Sequence, residues 1–122
     1  EWEYACRAGT QTPYWFGSAP QPKAANFQED VCTTTEAGYY PASPWGLHDM
    51  HGNLAEWTRS DDRPYPYQAD DGRNAGDPAV RKIVRGGSWR DRPHRARSGF
   101  RLSYPAWQRV FNVGFRVVCE AR

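Results

Sequence analysis

Apolar residues along this chain occur in short, interrupted runs rather than long periodic ones, and the interruptions set the predicted architecture. Residues 2–8 contain neither Gly nor Pro and suit the end of a helix, with Gly9 after them as a left-handed cap. From 10 to 44 the chain is broken by Pro13, Gly17, Pro20, Pro22 and Gly38, which predicts loops, and only 33–40 reads as extended enough for a strand. Residues 53–58 suit either an extended segment or one helical turn. Polar residues mixed with Asp, Gly, Pro and Tyr predict a long surface loop over 59–80, after which 81–84 regain strand character. Val113, Phe115, Val117 and Cys119 alternate at period two, which predicts the clearest strand of the chain over 113–119 and makes Cys119 a small buried residue on it.

A length of 122 residues allows one domain at most, with a modest core. Six Trp, seven Tyr and five Phe make the chain aromatic, and ten Pro with eleven Gly predict much irregular backbone, since Pro removes a donor and Gly permits positive φ. The composition is neither collagenous nor disordered, and no repeat or low-complexity tract is present. No apolar run is long enough to cross a membrane, so no membrane partner is expected. No targeting motif is visible, and localisation stays open.

Charge changes the picture more than composition does. Residues 1–80 carry five Lys/Arg against twelve Asp/Glu, whereas 81–122 carry eleven against two. A basic surface for nucleic acid is one reading, but no nucleic-acid motif accompanies the arginines, so nucleic acid is not an expected partner. The favoured reading is that the acidic loops neutralise the basic third in the folded domain or around bound cations. Cys6, Cys32 and Cys119 lack Cys-x-x-Cys spacing, and sequence cannot say whether any two of them pair.

Four blocks carry the recognisable chemistry: residues 1–9 (Glu-Trp-Glu-Tyr-Ala-Cys-Arg-Ala-Gly), 46–57 (Gly-Leu-His-Asp-Met-His-Gly-Asn-Leu-Ala-Glu-Trp), 84–89 (Val-Arg-Gly-Gly-Ser-Trp) and 112–118 (Asn-Val-Gly-Phe-Arg-Val-Val). In this order they resemble the formylglycine-generating enzyme family, the sulfatase-modifying-factor domain. The resemblance implies an α+β fold related to C-type lectins, loop-rich and low in regular structure. It also implies that 1–122 is the C-terminal portion of a single domain of this type, because the opening block lies well inside the family's domain. The partner layer would then come from the N-terminal part of the same domain or from a larger assembly.

One metal site is expected, and a second is open. Asp49 and Glu56 place hard carboxylate oxygens on either side of Gly52, where the backbone can turn and present carbonyls, and calcium takes six to eight such oxygens. The alternative from spacing alone is that both carboxylates cap amides of a tight loop. The resemblance favours calcium and implies the Asp49 side chain, the Gly52 and Leu54 carbonyls and the Glu56 carboxylate. It implies a second calcium site at the Asn26 side chain and the Phe27 carbonyl, with Glu29 or Asp30 replacing a further ligand or the site lost to loop shortening. His48, His51 and His94 invite a transition-metal reading, and surface or packing roles are preferred for them.

The family's enzymes convert a sulfatase cysteine to formylglycine with copper and oxygen, using a cysteine pair a few residues beyond the Gly-Gly-Ser block. Residues 89–101 hold no cysteine, so copper is not expected and no catalytic residue is assigned. Ser88 matches a serine of the enzymes' pocket, but a lone serine after two glycines is more often a turn residue. Ala55 stands where the enzymes carry tryptophan. What the basic third offers is a surface in which Arg90, Asp91, His94, Tyr104, Trp107 and Phe111 are candidate ligand contacts, arginine and aromatics being enriched at binding hot spots. For Arg85, Arg101 and Arg116, beside the blocks, a structural role is favoured. The expected function is a non-catalytic, calcium-stabilised recognition or accessory module for a protein or glycan ligand. The rival is a formylglycine-generating or related oxygenase whose site is atypical or completed by residues outside this chain.

Overall fold

The computed structural model describes residues 1–28 and 31–119. It is α+β and loop-rich, with helix α1 (Trp2–Arg7), a four-stranded sheet and a 3₁₀ turn (Pro93–Ala96) among the described residues. The left-handed cap of α1 falls on Ala8, at φ 47° and ψ 42°, one residue earlier than the expected Gly9. Thr10 explains the shift, because its amide and hydroxyl both donate to the Arg7 carbonyl at 2.9 Å and pull the exit into a tight corner.

The sheet comprises β1 (Ala55–Asp61), β2 (Arg81–Arg85), β3 (Leu102–Pro105) and β4 (Val113–Phe115), ordered β3-β2-β1-β4. β2 lies antiparallel to both β1 and β3, while β4 runs parallel to β1. Residues 55–58 thus take the extended alternative, and β1 continues three residues into the segment expected to be loop. β3 was not expected. Its Pro105 sits at the end of an edge strand, where a missing donor costs least.

Two expected strands differ in the structure. Residues 33–40 form no strand, because neighbouring side chains take up their backbone groups: Thr35 donates to Asn53 Oδ1 at 2.9 Å, its carbonyl accepts from Asn53 Nδ2 at 3.2 Å, and Gly38 donates to Asp49 Oδ2 at 2.9 Å. The C-terminal strand stops at Phe115 rather than reaching Cys119. Its parallel pairing with β1 ends at Trp57↔Phe115, the point beyond which β1 also becomes irregular against β2, so no ladder continues. Val117 and Val118 are 81% and 79% exposed, and Cys119 is exposed rather than buried.

The core lies mainly beneath the loops. Tyr14, Ala25, Phe27 and Ala96 cluster with Phe16 packed against them, and Tyr14 stacks on Phe16 at 5.1 Å. So small an apolar core is supplemented by charged groups, some buried and some nearer the surface, with specific partners. Arg85 donates to the Phe100 carbonyl at 2.8 Å and pairs with Glu3, Lys82 pairs with Asp61, Arg101 with Asp62 at 3.1 Å, and Arg116 with Glu56 at 2.8 Å. Each pair joins the basic third to the acidic part, so the charge split is in part internal neutralisation.

Candidate functional site

The 46–57 block ties two corners of the molecule together. Gly52 donates to the Gly86 carbonyl at 2.8 Å, Asn53 donates to the Asn26 carbonyl at 2.8 Å, and the Asn53 carbonyl accepts from Trp89 at 2.9 Å. Asp49, Gly52 and Asn53 all have positive φ, at 57°, 81° and 64°, a conformation that Gly, Asn and Asp tolerate best. The loop therefore joins the Asn26 corner to the Gly-Gly-Ser turn through backbone bonds.

Asp49, Leu54 and Glu56 line one cavity of about 260 Å³, together with Ala37, Asn53, Phe115 and Arg116. Sequence reasoning brought the two carboxylates together but missed the cation beside them. Arg116 donates through Nε and Nη2 to the Glu56 carboxylate at 3.2 and 2.8 Å, and through Nη2 to the His48 carbonyl at 2.8 Å. Trp2 Nε1 donates to Glu56 Oε2 at 2.8 Å. Asp49 Oδ2 accepts from Gly38, as an amide-capping carboxylate would. The negative charge of Glu56 is thus already compensated, and a calcium ion here would compete with Arg116 for its oxygens.

The Asn26 corner differs. Asn26 is fully buried, and its Nδ2 donates to the Thr33 carbonyl at 2.9 Å, yet Oδ1 has no partner among the described residues. An orphaned buried amide oxygen costs on the order of 1–3 kcal/mol, and it is the kind of hard neutral oxygen that calcium accepts. Phe27 beside it is also buried. Glu29 and Asp30 lie outside the described residues.

The histidines are spread apart and engaged. His51 Nδ1 donates to the Ala96 carbonyl at 2.6 Å, and Nε2 accepts from the Trp15 amide at 3.1 Å, which leaves no nitrogen lone pair for a metal. Burial lowers its pKa to about 4, only partly opposed by the bond to Ala96. His48 Nδ1 lies 2.9 Å from the Tyr40 carbonyl, and exposed His94 packs edge-on against Phe100 at 5.9 Å. Cys6 is wholly buried, with Sγ 3.6 Å from His51 Nε2 and 3.5 Å from Ser98 Oγ, and burial pushes its thiol up to about 11.

In the Gly-Gly-Ser turn, Gly87 adopts φ +65° with its Cα facing the Ala96 backbone, so that a Cβ there would stand 3.0 Å from Ala96 N and Cα. That close approach delivers Ser88 to a fully buried position. Its hydroxyl donates to Asp91 Oδ2 at 2.6 Å and accepts from Asn112 Nδ2 at 2.8 Å, while its amide donates to Asp91 Oδ2 at 3.0 Å. Ser88 is a turn residue. Asp91, expected on the ligand surface, is instead the cap of this turn and also accepts from Arg95 at 3.2 Å. Asn112 heads the last block, and that position was the only sequence signal for its part in the turn.

The other expected ligand contacts lie on and around β3 and the 3₁₀ turn. The Arg90 guanidinium lies 5.5 Å from the Phe111 ring centre, and Phe111 meets Trp89 at 6.5 Å. Tyr104 sits half-buried on β3 against Trp57, and Trp107 projects 79% exposed beyond the strand.

Residues 1–121 match the family described as the sulfatase-modifying factor enzyme 1-like domain. The chain is 30% identical to the formylglycine-generating enzyme of Mycobacterium tuberculosis, covering 98% of this chain and 49% of that protein. It is 31% identical to the inactive C-alpha-formylglycine-generating enzyme 2 of Bos taurus, covering 99% and 42% respectively. Among solved structures, Treponema denticola variable protein 1 superposes with a TM-score of 0.78 at 26% identity, covering 94% of this chain and 43% of that one. The chain spans about half the length, or less, of these relatives. The motif blocks, the loop-rich α+β fold and these similarities converge: the chain belongs to the sulfatase-modifying factor enzyme 1-like family.

Proposed function

We propose that this chain acts as a non-catalytic recognition or accessory module of its family, forming the C-terminal portion of one domain and braced by calcium. The observation that carries the reading is Ser88. Beyond it stand Asp91 and the 3₁₀ turn, with no thiolate in 89–101, and its hydroxyl is spent on Asp91 and Asn112. Soft thiolates are what a copper(I) centre requires. The inactive bovine relative gives the reading a precedent within the family.

Calcium would be held at the Asn26 corner by Oδ1 and the Phe27 carbonyl, the corner where an oxygen lacks a partner. The Asp49, Gly52, Leu54 and Glu56 loop is the second candidate, and there Arg116 would have to yield part of the Glu56 carboxylate. Bound calcium would cross-link segments distant in sequence and stabilise the native loops. Trp107, and Phe111 with Arg90 stacked on it, are the contacts we assign to a protein or glycan ligand, since both rings are largely exposed.

The rival reading, an enzyme whose site is completed by residues outside this chain, draws on the similarity to the mycobacterial formylglycine-generating enzyme. Copper(I) titration against a competing chelator, made on this chain together with the rest of its domain and with metal content measured on the same sample, separates the two. Calcium retained with no thiol-dependent copper uptake supports the module. Stoichiometric copper that is lost on thiol alkylation overturns it.

A further inference from the structure

We propose that the cleft between the exit of α1 and residues 97–101 binds a tetrahedral oxyanion, the phosphate or sulfate group of a small ligand. The cleft measures about 460 Å³ and is lined by Arg7, Gln11, Thr12, Arg97, Phe100 and Arg101, with no carboxylate among its lining residues. A volume of that size falls in the ordinary range for small-molecule sites.

Arg97 and Arg101 are held at one end and open at the other, while Arg7 forms a wall of the cleft with all three guanidinium nitrogens engaged. Arg97 donates through Nε to the His94 carbonyl at 2.9 Å, and neither of its terminal nitrogens has a partner among the described residues. Arg101 uses Nη2 for Asp62 and for the Arg63 carbonyl at 2.8 Å and stacks over Tyr65 at 4.5 Å, leaving Nε and Nη1 without one. Arg7 is fixed by Glu3 at 2.8 Å and by the Thr12 carbonyl at 3.1 Å. Glu3 and Asp62 offset part of the charge, but Arg97 pairs with no carboxylate among the described residues. The cleft therefore keeps a net positive charge, centred on Arg97, that an anion would complete. Planar guanidinium forks suit phosphate and sulfate oxygens, and anchoring the side chains beforehand reduces the entropy lost on binding. Phe100 supplies an apolar wall for the body of the ligand.

The structural bonds of Arg97 and Arg101 explain where these side chains start, not why their free ends share a cavity. An anion does. The inference adds a ligand class to the recognition reading, and its failure would leave the copper and calcium measurements standing.

The test follows arginine Nε–H resonances by NMR during titration with inorganic phosphate, inorganic sulfate and chloride at constant ionic strength. Saturable shifts at Arg97 and Arg101 with phosphate or sulfate, but not chloride, are expected, and the tighter of the two identifies the group. Arg97→Gln should weaken binding at least tenfold, while Arg109→Gln, which removes the same charge from an exposed position outside the cleft, should not. Gly99→Leu keeps every charge and fills the cleft: a Cβ there would stand 3.5 Å from Arg7 Nη2, and the backbone at 99 is not left-handed. It should abolish saturation. Linear shifts equal for all three anions, or wild-type binding by the folded Gly99→Leu protein, would overturn the proposal.

Discussion

Gly52 passes so close to Asn26 that a Cβ at position 52 would stand 2.1 Å from the Asn26 carbonyl oxygen, the same oxygen that accepts from the Asn53 amide. The two candidate calcium corners meet at this junction. Because the obstructing atom is backbone, no side-chain rotation relieves it.

Gly52→Ala should therefore cost more than about 3 kcal/mol or prevent folding, since strain and a backbone clash combine. Gly72→Ala is the control: its φ is +79° but nothing lies within 4 Å, so only the left-handed penalty of about 1–2 kcal/mol applies. Urea unfolding of both variants makes the comparison, and equal losses would refute the close-approach argument.

Calcium should raise the melting temperature of the wild type, by an amount on the order of 2–3 kcal/mol of stability at a hundredfold excess over Kd. Asn26→Ala should reduce that response by removing the orphaned oxygen. Glu56→Gln should weaken calcium affinity and also lower stability without calcium, because Arg116 and Trp2 lose a charged acceptor. Melting curves with and without chelator distinguish the corners, and identical curves for all three proteins would remove calcium from both.

His51 predicts a pH dependence. Its folded pKa of about 4 lies below the ordinary 6.5, so the unfolded chain binds the extra proton between those values and stability rises with pH there. The contribution is fully present above pH 6.5 and lost as pH falls towards 4, amounting to about 3 kcal/mol. Denaturant unfolding at pH 7.5 and pH 4.5 should show the loss in the wild type and a much flatter response in His51→Gln.

Cys6 should resist alkylation in the native protein. A wholly buried thiol held near 11 supplies almost no thiolate at pH 8. Mass spectrometry after iodoacetamide treatment should find Cys6 labelled at least a hundredfold more slowly in buffer than in denaturant, and comparable rates would mean that this part of the core opens readily.

How much of this was legible in the sequence differs from residue to residue. The four blocks and their order carried the family and, through the resemblance, its α+β fold, while the spread of Gly and Pro carried the loop-rich character, since these residues act on their own backbone and need no distant partner. The helix at 2–8 and the strand at 81–84 were legible for the same reason. The identity of the other strands was not. Residues 33–40 have strand-like composition, but Asn53 and Asp49 reach their amides first; residues 113–119 alternate, but β1 offers a ladder only as far as Trp57. A strand exists only where a second segment arrives in register, and register is set by long-range packing. The site followed the same division. Sequence placed Asp49 and Glu56 beside Gly52, while only the tertiary structure brought Arg116 and Trp2 to Glu56, turned Asp91 onto Ser88 and left Asn26 Oδ1 without a partner. Charge and hydrogen-bonding capacity belong to residue types, but which group satisfies which is decided by positions that chain order does not encode locally.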